Sequence, residues 1–354
     1  MSDFLDYGDE PSNKPTRKKR ILLVDGTNVL FQTQYNGPVS KEQTDLDKAA
    51  DKYGISDDPN MIVEISETDE EYLVHKRLTF VKFLNIVTKY LKELACDGVY
   101  ICFDTGKSWR VGYTKGEMDG IIPKTKKIYK GKRRQDMTPK QEHEYKRMKK
   151  IGNELIVFFK EHSSVKCFTE PSLESDDMIS HIPQIQPHHE FIVLSTDGDM
   201  TQIMKHANVQ VFDLHHKKLR EPCDVDWFLF EKCIRGDQSD NVQSALPRVR
   251  STKIEAAYND PYLYTNLMET EWKDHESTVY KVGDLFKENQ LLMDLCKQPT
   301  HILELLKTVI QDEIERSVKR NKMEVGQGMS KMQVEHLSQS LFKGTYFWLH
   351  SHME

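Results

Sequence analysis

Five short apolar runs, set apart by helical stretches, constrain this chain more than any other feature of its sequence. Ile21-Leu22-Leu23-Val24, Val99–Phe103, Val165–Phe168, Phe191–Leu194 and Val209–Phe212 are continuous rather than alternating. Such runs fit strands buried on both faces, as in a parallel sheet. Lys76 to Ala95 carries Leu84, Val87, Leu91 and Leu94 at helical spacing, and Glu142 to Lys160 ends in Leu155-Ile156-Val157-Phe158-Phe159. Strands alternating with helices predict an α/β fold, a mostly parallel central sheet flanked by helices. A length of 354 residues holds one such domain and a smaller module.

The rest of the chain falls around that pattern. Residues 1–20 read as a flexible tail turning basic at Arg17-Lys18-Lys19-Arg20, and residues 21–235 as the sheet domain. Within the domain, 36–75 is an acidic insertion, and 115–150 is dense in Lys and Arg. Beyond 236 the strand-like runs stop. Val282–Leu295, Ile302–Val318 and Lys331–Leu341 look helical, so 236–354 is expected to be a C-terminal helical region. No eighteen-residue apolar run occurs and no apolar stretch follows the N-terminal basic residues, which predicts a cytoplasmic protein without membrane or secretory segments. Six scattered cysteines, none in a C-x-x-C pair, read as reduced thiols. Charged residues make up 30% of the chain and the net charge is −6, so the distribution matters more than the sum.

The acids fall where the runs end. Asp25 ends the first, Asp104 the second, and Asp197 and Asp199 follow the fourth. Ligands of open α/β sheets bind outside the carboxyl ends of the strands, so three strands deliver acids to one rim. Glu174-Ser175-Asp176-Asp177 opens a helix after the third run, and Asp237-Gln238-Ser239-Asp240-Asn241 opens the C-terminal region. Any one of these Asp residues reads equally well as a helix cap or turn. Their conjunction does not. Two carboxylates 4 Å apart repel by ~1 kcal/mol in water and ~4 kcal/mol at an effective dielectric of 20. Gathering several on one rim calls for divalent cations, and an oxygen-only set suits Mg²⁺ or Mn²⁺ better than zinc. Two ions about 3.5–4 Å apart can activate a water and stabilise the leaving oxygen of a phosphodiester. Other chemistries match poorly. Gly106-Lys107-Ser108 lacks the first glycine of a phosphate loop, and His215-His216 with Cys223 fits no standard zinc spacing.

A basic segment accompanies the acids. Residues 124–134 read Lys-Thr-Lys-Lys-Ile-Tyr-Lys-Gly-Lys-Arg-Arg, with Tyr145-Lys146-Arg147 following. Charge runs usually form solvated faces, but this one is dense and lies downstream of Asp104 on the same connection. Lys132, Arg134 and their neighbours are expected to grip a phosphate backbone, with Tyr129 stacking on an unpaired base. Trp109-Arg110 fits the same role, since Arg can clasp a phosphate bidentately.

These motifs, taken in order, resemble the 5′-nuclease family: flap endonucleases, the 5′-nuclease domains of bacterial DNA polymerases, and bacteriophage 5′→3′ exonucleases. Val24-Asp25-Gly26, Phe103-Asp104 with Trp109-Arg110, and Tyr129-Lys130-Gly131-Lys132-Arg133 carry the first half of the likeness. Glu174-Ser175-Asp176-Asp177, Ser195–Asp199 and Gly236–Asn241 carry the second. The resemblance implies a PIN-like sheet, a helical arch formed by 115–150, and two Mg²⁺ ions, for which Mn²⁺ can substitute. By position it assigns Asp25, Asp104, Glu174, Asp176 and Asp177 to one metal, and Asp197, Asp199, Asp237 and Asp240 to the other. Lys130, Arg133 and Arg110 would contact the phosphate being cut. The implied activity is 5′→3′ exonuclease and flap endonuclease, with ribonuclease H-type removal of RNA primers during DNA replication. DNA and RNA–DNA duplexes with 5′ ends or flaps would be the partners, with a single-stranded-DNA-binding protein or sliding clamp alongside. Ser244-Ala245-Leu246-Pro247-Arg248-Val249 lacks the glycines of the family's helix–hairpin–helix, which puts its potassium site in doubt and leaves duplex binding to Arg248, Arg250 and Lys253. Two other readings remain at this stage: a PIN-type ribonuclease for single-stranded RNA, and a non-catalytic protein that binds DNA structures.

Overall fold

A computed structural model describes residues 18–35, 68–118, 122–133 and 137–351. The tail up to residue 17, the insertion over 36–67 and Arg134 lie outside them.

The five apolar runs all become strands: β1 (Arg20–Asp25), β2 (Gly98–Cys102), β3 (Lys166–Phe168), β4 (Glu190–Ser195) and β5 (Val209–Asp213). With β6 (Lys218–Leu219) they form one sheet in the order β3-β2-β1-β4-β5-β6, parallel except at β6. The reversal of order beside β1 opens the crevice where such sheets bind ligands. Continuous apolar runs are required because both faces are covered. Ile21, Leu23, Tyr100, Phe191 and Val193 face one core; Leu22, Val24, Ile101, Ile192 and Leu194 face the other.

The second face packs on α1 (Gly26–Tyr35), α2 (Asp69–Glu93) and α4 (Pro139–His162) through Val29, Phe80, Phe83, Phe158 and Phe159. Capping boxes at Thr68/Glu71 and Thr138/Gln141 fix where the two long helices begin, by satisfying amides that have no partner within the helix. Between them lies the short α3 (Trp109–Thr114). The first face carries α5 (Ser175–Ile185) and α6 (Val225–Arg235), then α7 (Ser251–Asn259), α8 (Pro261–Glu269), α9 (Val282–Met293) and α10 (Thr300–Glu315).

Four expectations change. The C-terminal region contains a hairpin, β7 (Glu271–Lys273) with β8 (Val279–Lys281), which short and largely exposed strands do not announce. Lys331–Leu341 is not one helix: α11 (Lys322–Lys331) stops at a turn where Gln333 has φ 58°, and α12 (Ser338–Phe342) follows. The division at 236 is not a division of the core either. Val325, Met329, Leu341, Tyr346 and Trp348 return to pack with the aromatic residues of α2 and α4. Nor do the described residues of 115–150 make a separate arch. Residues 122–133 form an irregular strap, and 139–150 are the first half of α4.

All six cysteines are free. Among the described residues no helix is long and apolar enough to cross a membrane.

Candidate metal centre

The registers Asp25↔Cys102 and Val24↔Leu194 bring the ends of β1, β2 and β4 level, so Asp25, Asp104 and Asp197 emerge on one rim. Gly26 makes the exit possible. A Cβ there would stand 2.7 Å from the Cys102 carbonyl oxygen and 2.8 Å from the Phe103 ring. α5 brings Glu174 as its N-cap and Asp176 in its first turn. Asp237 and Asp240 come from a tight loop closed by a bridge between Asp237 and Val242, with Gly236 at φ 70° where a side chain would strike the Val242 carbonyl.

A cavity of about 320 Å³ collects them. Asp25, Asp104, Glu174, Asp176, Asp197, Asp199, Asp237 and Asp240 line it, with Lys130, Arg133 and Lys149. Eight of the nine expected acids therefore meet, but their grouping differs from the expected one.

Asp25, Asp104, Asp176 and Asp197 have no basic partner among the described residues. Neutral groups hold the first two instead. Ser195 Oγ donates to Asp25 at 2.9 Å and the Asn28 amide at 3.1 Å, while the Ser175 amide donates to Asp104 at 2.6 Å. Burial, followed by repulsion from Asp104, pushes the Asp25 carboxyl up to about 7. Asp176 is raised well above its ordinary value by burial and then by Asp25, Asp197 and Asp104. Asp197 therefore repels Asp25 and Asp176 as well as its neighbour Asp199.

Glu174 and Asp240 form a second group, tied to the strap. The Tyr129 hydroxyl donates to both, at 3.1 Å and 2.7 Å; Lys130 pairs with Glu174 and Arg133 with Asp240. Lys130 has φ 55°, and its amide donates to the Asp240 carbonyl at 2.7 Å, which clamps the strap at the cavity edge. Asp199 and Asp237 make a third group, joined by Lys232.

Asp177 and Arg110 do not reach the cavity. Arg110 is 1% exposed and grips Asp177 with two bonds of 2.7 Å and 2.9 Å; a third runs to Glu174 at 3.1 Å. Arg110 is therefore turned away from the cavity, and Asp177 is a buried counter-ion whose carboxyl Arg110 holds below its ordinary value against the opposing effect of burial. Tyr129 is 6% exposed, so its ring is not open to a base. The aromatic surface on the cavity is Phe31, stacked on Tyr145 at 5.7 Å between ring centroids. Lys132 is exposed beside the cavity-lining Arg133. Arg248, Arg250 and Lys253 lie apart, around a shallow groove ahead of α7.

Sequence reading missed Lys232, the hydroxyls of Ser175 and Ser195, and Glu288. Only Lys232 left a trace, as a basic residue in the helical turn just before the Asp237 motif. Glu288, 4% exposed on α9, accepts the amides of Lys124 at 2.7 Å and Thr125 at 2.8 Å. It fastens the strap that carries Tyr129 and Lys130. Glu288→Ala leaves two amides without acceptors, and is expected to lower the unfolding free energy by about 1–3 kcal/mol. Limited proteolysis should then cut within 122–133, and a strap as resistant as in the parent would refute the anchoring.

The anionic groups on the cavity wall are all carboxylates, with no His or Cys among the lining residues, as suits hard divalent cations. Among the described residues, no three ligands already converge on one point as a finished cage. The carboxylates stand around the space instead, and Asp25, Asp104, Asp176 and Asp197 form no ion pair among the described residues. The residues fit divalent metal.

No family model matches the chain. Ribonuclease H of Enterobacteria phage T4 is 27% identical over 242 residues, covering 64% of this chain and 73% of that protein. The T5 D15 protein, co-crystallised with metal ions, has the same fold, with a TM-score of 0.55 at 16% identity over 85% of this chain and 100% of that one. The bacteriophage T5 D15 flap endonuclease in complex with DNA and metal ions gives a TM-score of 0.52 at 16% identity, over 91% and 100%. With the acidic motifs gathered on one rim of that fold, and the phage ribonuclease H sequence alike across most of its length, the chain resembles the 5′-nucleases in both sequence and fold.

Proposed function

We propose that this protein is a metal-dependent 5′→3′ exonuclease and flap endonuclease that hydrolyses phosphodiesters in DNA and RNA–DNA duplexes, including the RNA of primers. The observation that carries the reading is the cluster of Asp25, Asp104, Asp176 and Asp197, four acids without basic partners, facing Lys130 and Arg133 across one cavity. These four would hold a first Mg²⁺, with Asp199 and Asp237 available to a second. Bound there, the metal would lower the pKa of a water and stabilise charge on the leaving oxygen.

The chain's own groups do the rest. Ser175, Ser195 and Asn28 orient the Asp25 and Asp104 carboxylates. Lys130 and Arg133 exchange their carboxylate partners for phosphate oxygens and offset the charge that develops as the bond breaks. Lys149 extends the positive edge along the incoming strand, and Phe31 with Tyr145 offers a face on which a terminal base can stack. Arg248, Arg250 and Lys253, around their own groove, would hold the duplex away from the cut.

A 5′-labelled flap substrate incubated with Mg²⁺ is expected to release short 5′ products, and EDTA should stop the release completely. An intact flap beside degraded single-stranded RNA would replace this reading with a PIN-type ribonuclease. Binding without any cleavage would leave a DNA-structure-binding protein.

A further inference from the structure

We infer that the Lys232 ammonium serves as a resident cation between Asp199 and Asp237, so that a second divalent ion enters only by displacing it. The inference rests on reading the cavity as a metal centre and concerns how that centre fills.

The acids of the cavity are unequal. Asp25, Asp104, Asp176 and Asp197 form no ion pair among the described residues, and the hydrogen bonds they accept come from hydroxyls and amides. Asp199 and Asp237 are already neutralised in part. Lys232 Nζ donates to Asp237 Oδ2 at 2.8 Å and also contacts Asp199 Oδ1, which places one positive charge between two negative ones. The Lys232 side chain is 14% exposed, so water screens the pairing weakly. Asp237 is further occupied by the Ser239 amide and hydroxyl, at 2.8 Å and 2.6 Å.

A divalent ion at this position would meet the ammonium at close range and must drive it out. The first ion meets no such opponent. Loading is therefore sequential: the unpartnered acids take metal in the free protein, and the Lys232 pair holds off the second ion until a phosphate adds negative charge. Lysine suits the exchange. Its ammonium is a compact charge on a flexible stem and can swing aside, whereas a guanidinium in the same place would be held by its fork.

Titration of the metal-stripped full chain with Mn²⁺, without nucleic acid, tests this by calorimetry and by the electron paramagnetic resonance of free Mn²⁺. The parent protein is expected to take up one ion tightly. Lys232→Ala and Lys232→Met should gain a second site, or tighten a weak one by about tenfold or more. The Met variant keeps the apolar stem, and so reports on charge even if the Ala variant folds poorly. Lys232→Arg retains the cation and should stay at one site. Two equal sites in the parent would overturn the inference, as would Lys232→Met isotherms identical to the parent's. Failure of all four proteins to bind Mn²⁺ would sink the metal-centre reading as well, whereas one-site binding unchanged in Lys232→Met sinks this inference alone.

Discussion

Asp197→Asn is expected to reduce cleavage by about 10³-fold or more while leaving the fold and duplex binding in place. The size follows from the proposed role of Asp197 as an anionic ligand of the first metal, an ion that would contribute several kcal/mol to the transition state. The selectivity follows from what Asp197 does besides. Its Oδ1 accepts the Asp199 amide at 2.8 Å and caps the short 3-10 helix Gly198–Lys205, and an asparagine oxygen can keep that bond. Its own amide donates to Ser195 Oγ at 3.0 Å, which the substitution does not touch. The proposed substrate grip lies in other side chains: Lys130, Arg133 and Lys149 at the cavity, and Arg248, Arg250 and Lys253 beyond it. Loss of one negative charge should leave affinity equal or slightly higher. Single-turnover rates on a flap substrate in Mg²⁺, with fluorescence anisotropy of the same substrate in EDTA, separate the two quantities. Cleavage at the parental rate would overturn the assignment of Asp197 to the metal.

The sheet and the acids at its rim were legible because each is encoded locally. A strand buried on both faces must be apolar throughout, and an acid that follows such a strand lands at its carboxyl end whatever the rest of the chain does. What stayed hidden depends on pairing between distant segments. Arg110 and Asp177 look in sequence like one more phosphate clamp and one more ligand; only the folded chain turns them toward each other and away from the cavity. Tyr129 sits in a basic run that reads as an exposed nucleic-acid grip, yet its hydroxyl is held by Glu174 and Asp240, residues brought there by a helix and a loop far along the chain. The return of Tyr346 and Trp348 onto α2 and α4 was invisible for the same reason. Periodicity tells that a helix has an apolar face, not which surface will cover it. Lys232 is hidden in the same way: nothing in the local sequence shows its bridge between Asp199 and Asp237.

The second large effect is one of stability, at Arg110. Its Nε donates to the Leu292 carbonyl on α9 at 2.7 Å, while its guanidinium grips Asp177 and Glu174 on α5. Asp177 is wholly buried and also accepts Gln298 Nε2 at 3.1 Å, so this ion pair ties the helix that carries Asp176 to the C-terminal region. Arg110→Ala strands a carboxylate in the core, and is expected to lower the unfolding free energy by about 3–5 kcal/mol. That is a large part of the about 5–15 kcal/mol typical of a folded domain. Arg110→Lys should recover only part of it, because an ammonium cannot reproduce two parallel bonds to Asp177 together with those to Glu174 and Leu292. Removing both charges, as in Arg110→Met with Asp177→Leu, should recover more than Arg110→Lys does, since most of the loss lies in the unpaired charge. Urea unfolding of the four proteins measures the series. If Arg110 instead clasped a phosphate, Arg110→Ala would unfold at parental urea concentrations and would bind DNA with a shallower dependence on salt. That outcome would return Arg110 to the cavity and deny the clamp. The clamp also accounts for a long arginine buried beside a nuclease site: α5 must keep Asp176 turned toward the cavity against the repulsion of Asp25, Asp104 and Asp197, and a pair tied to both α5 and α9 supplies the opposing hold.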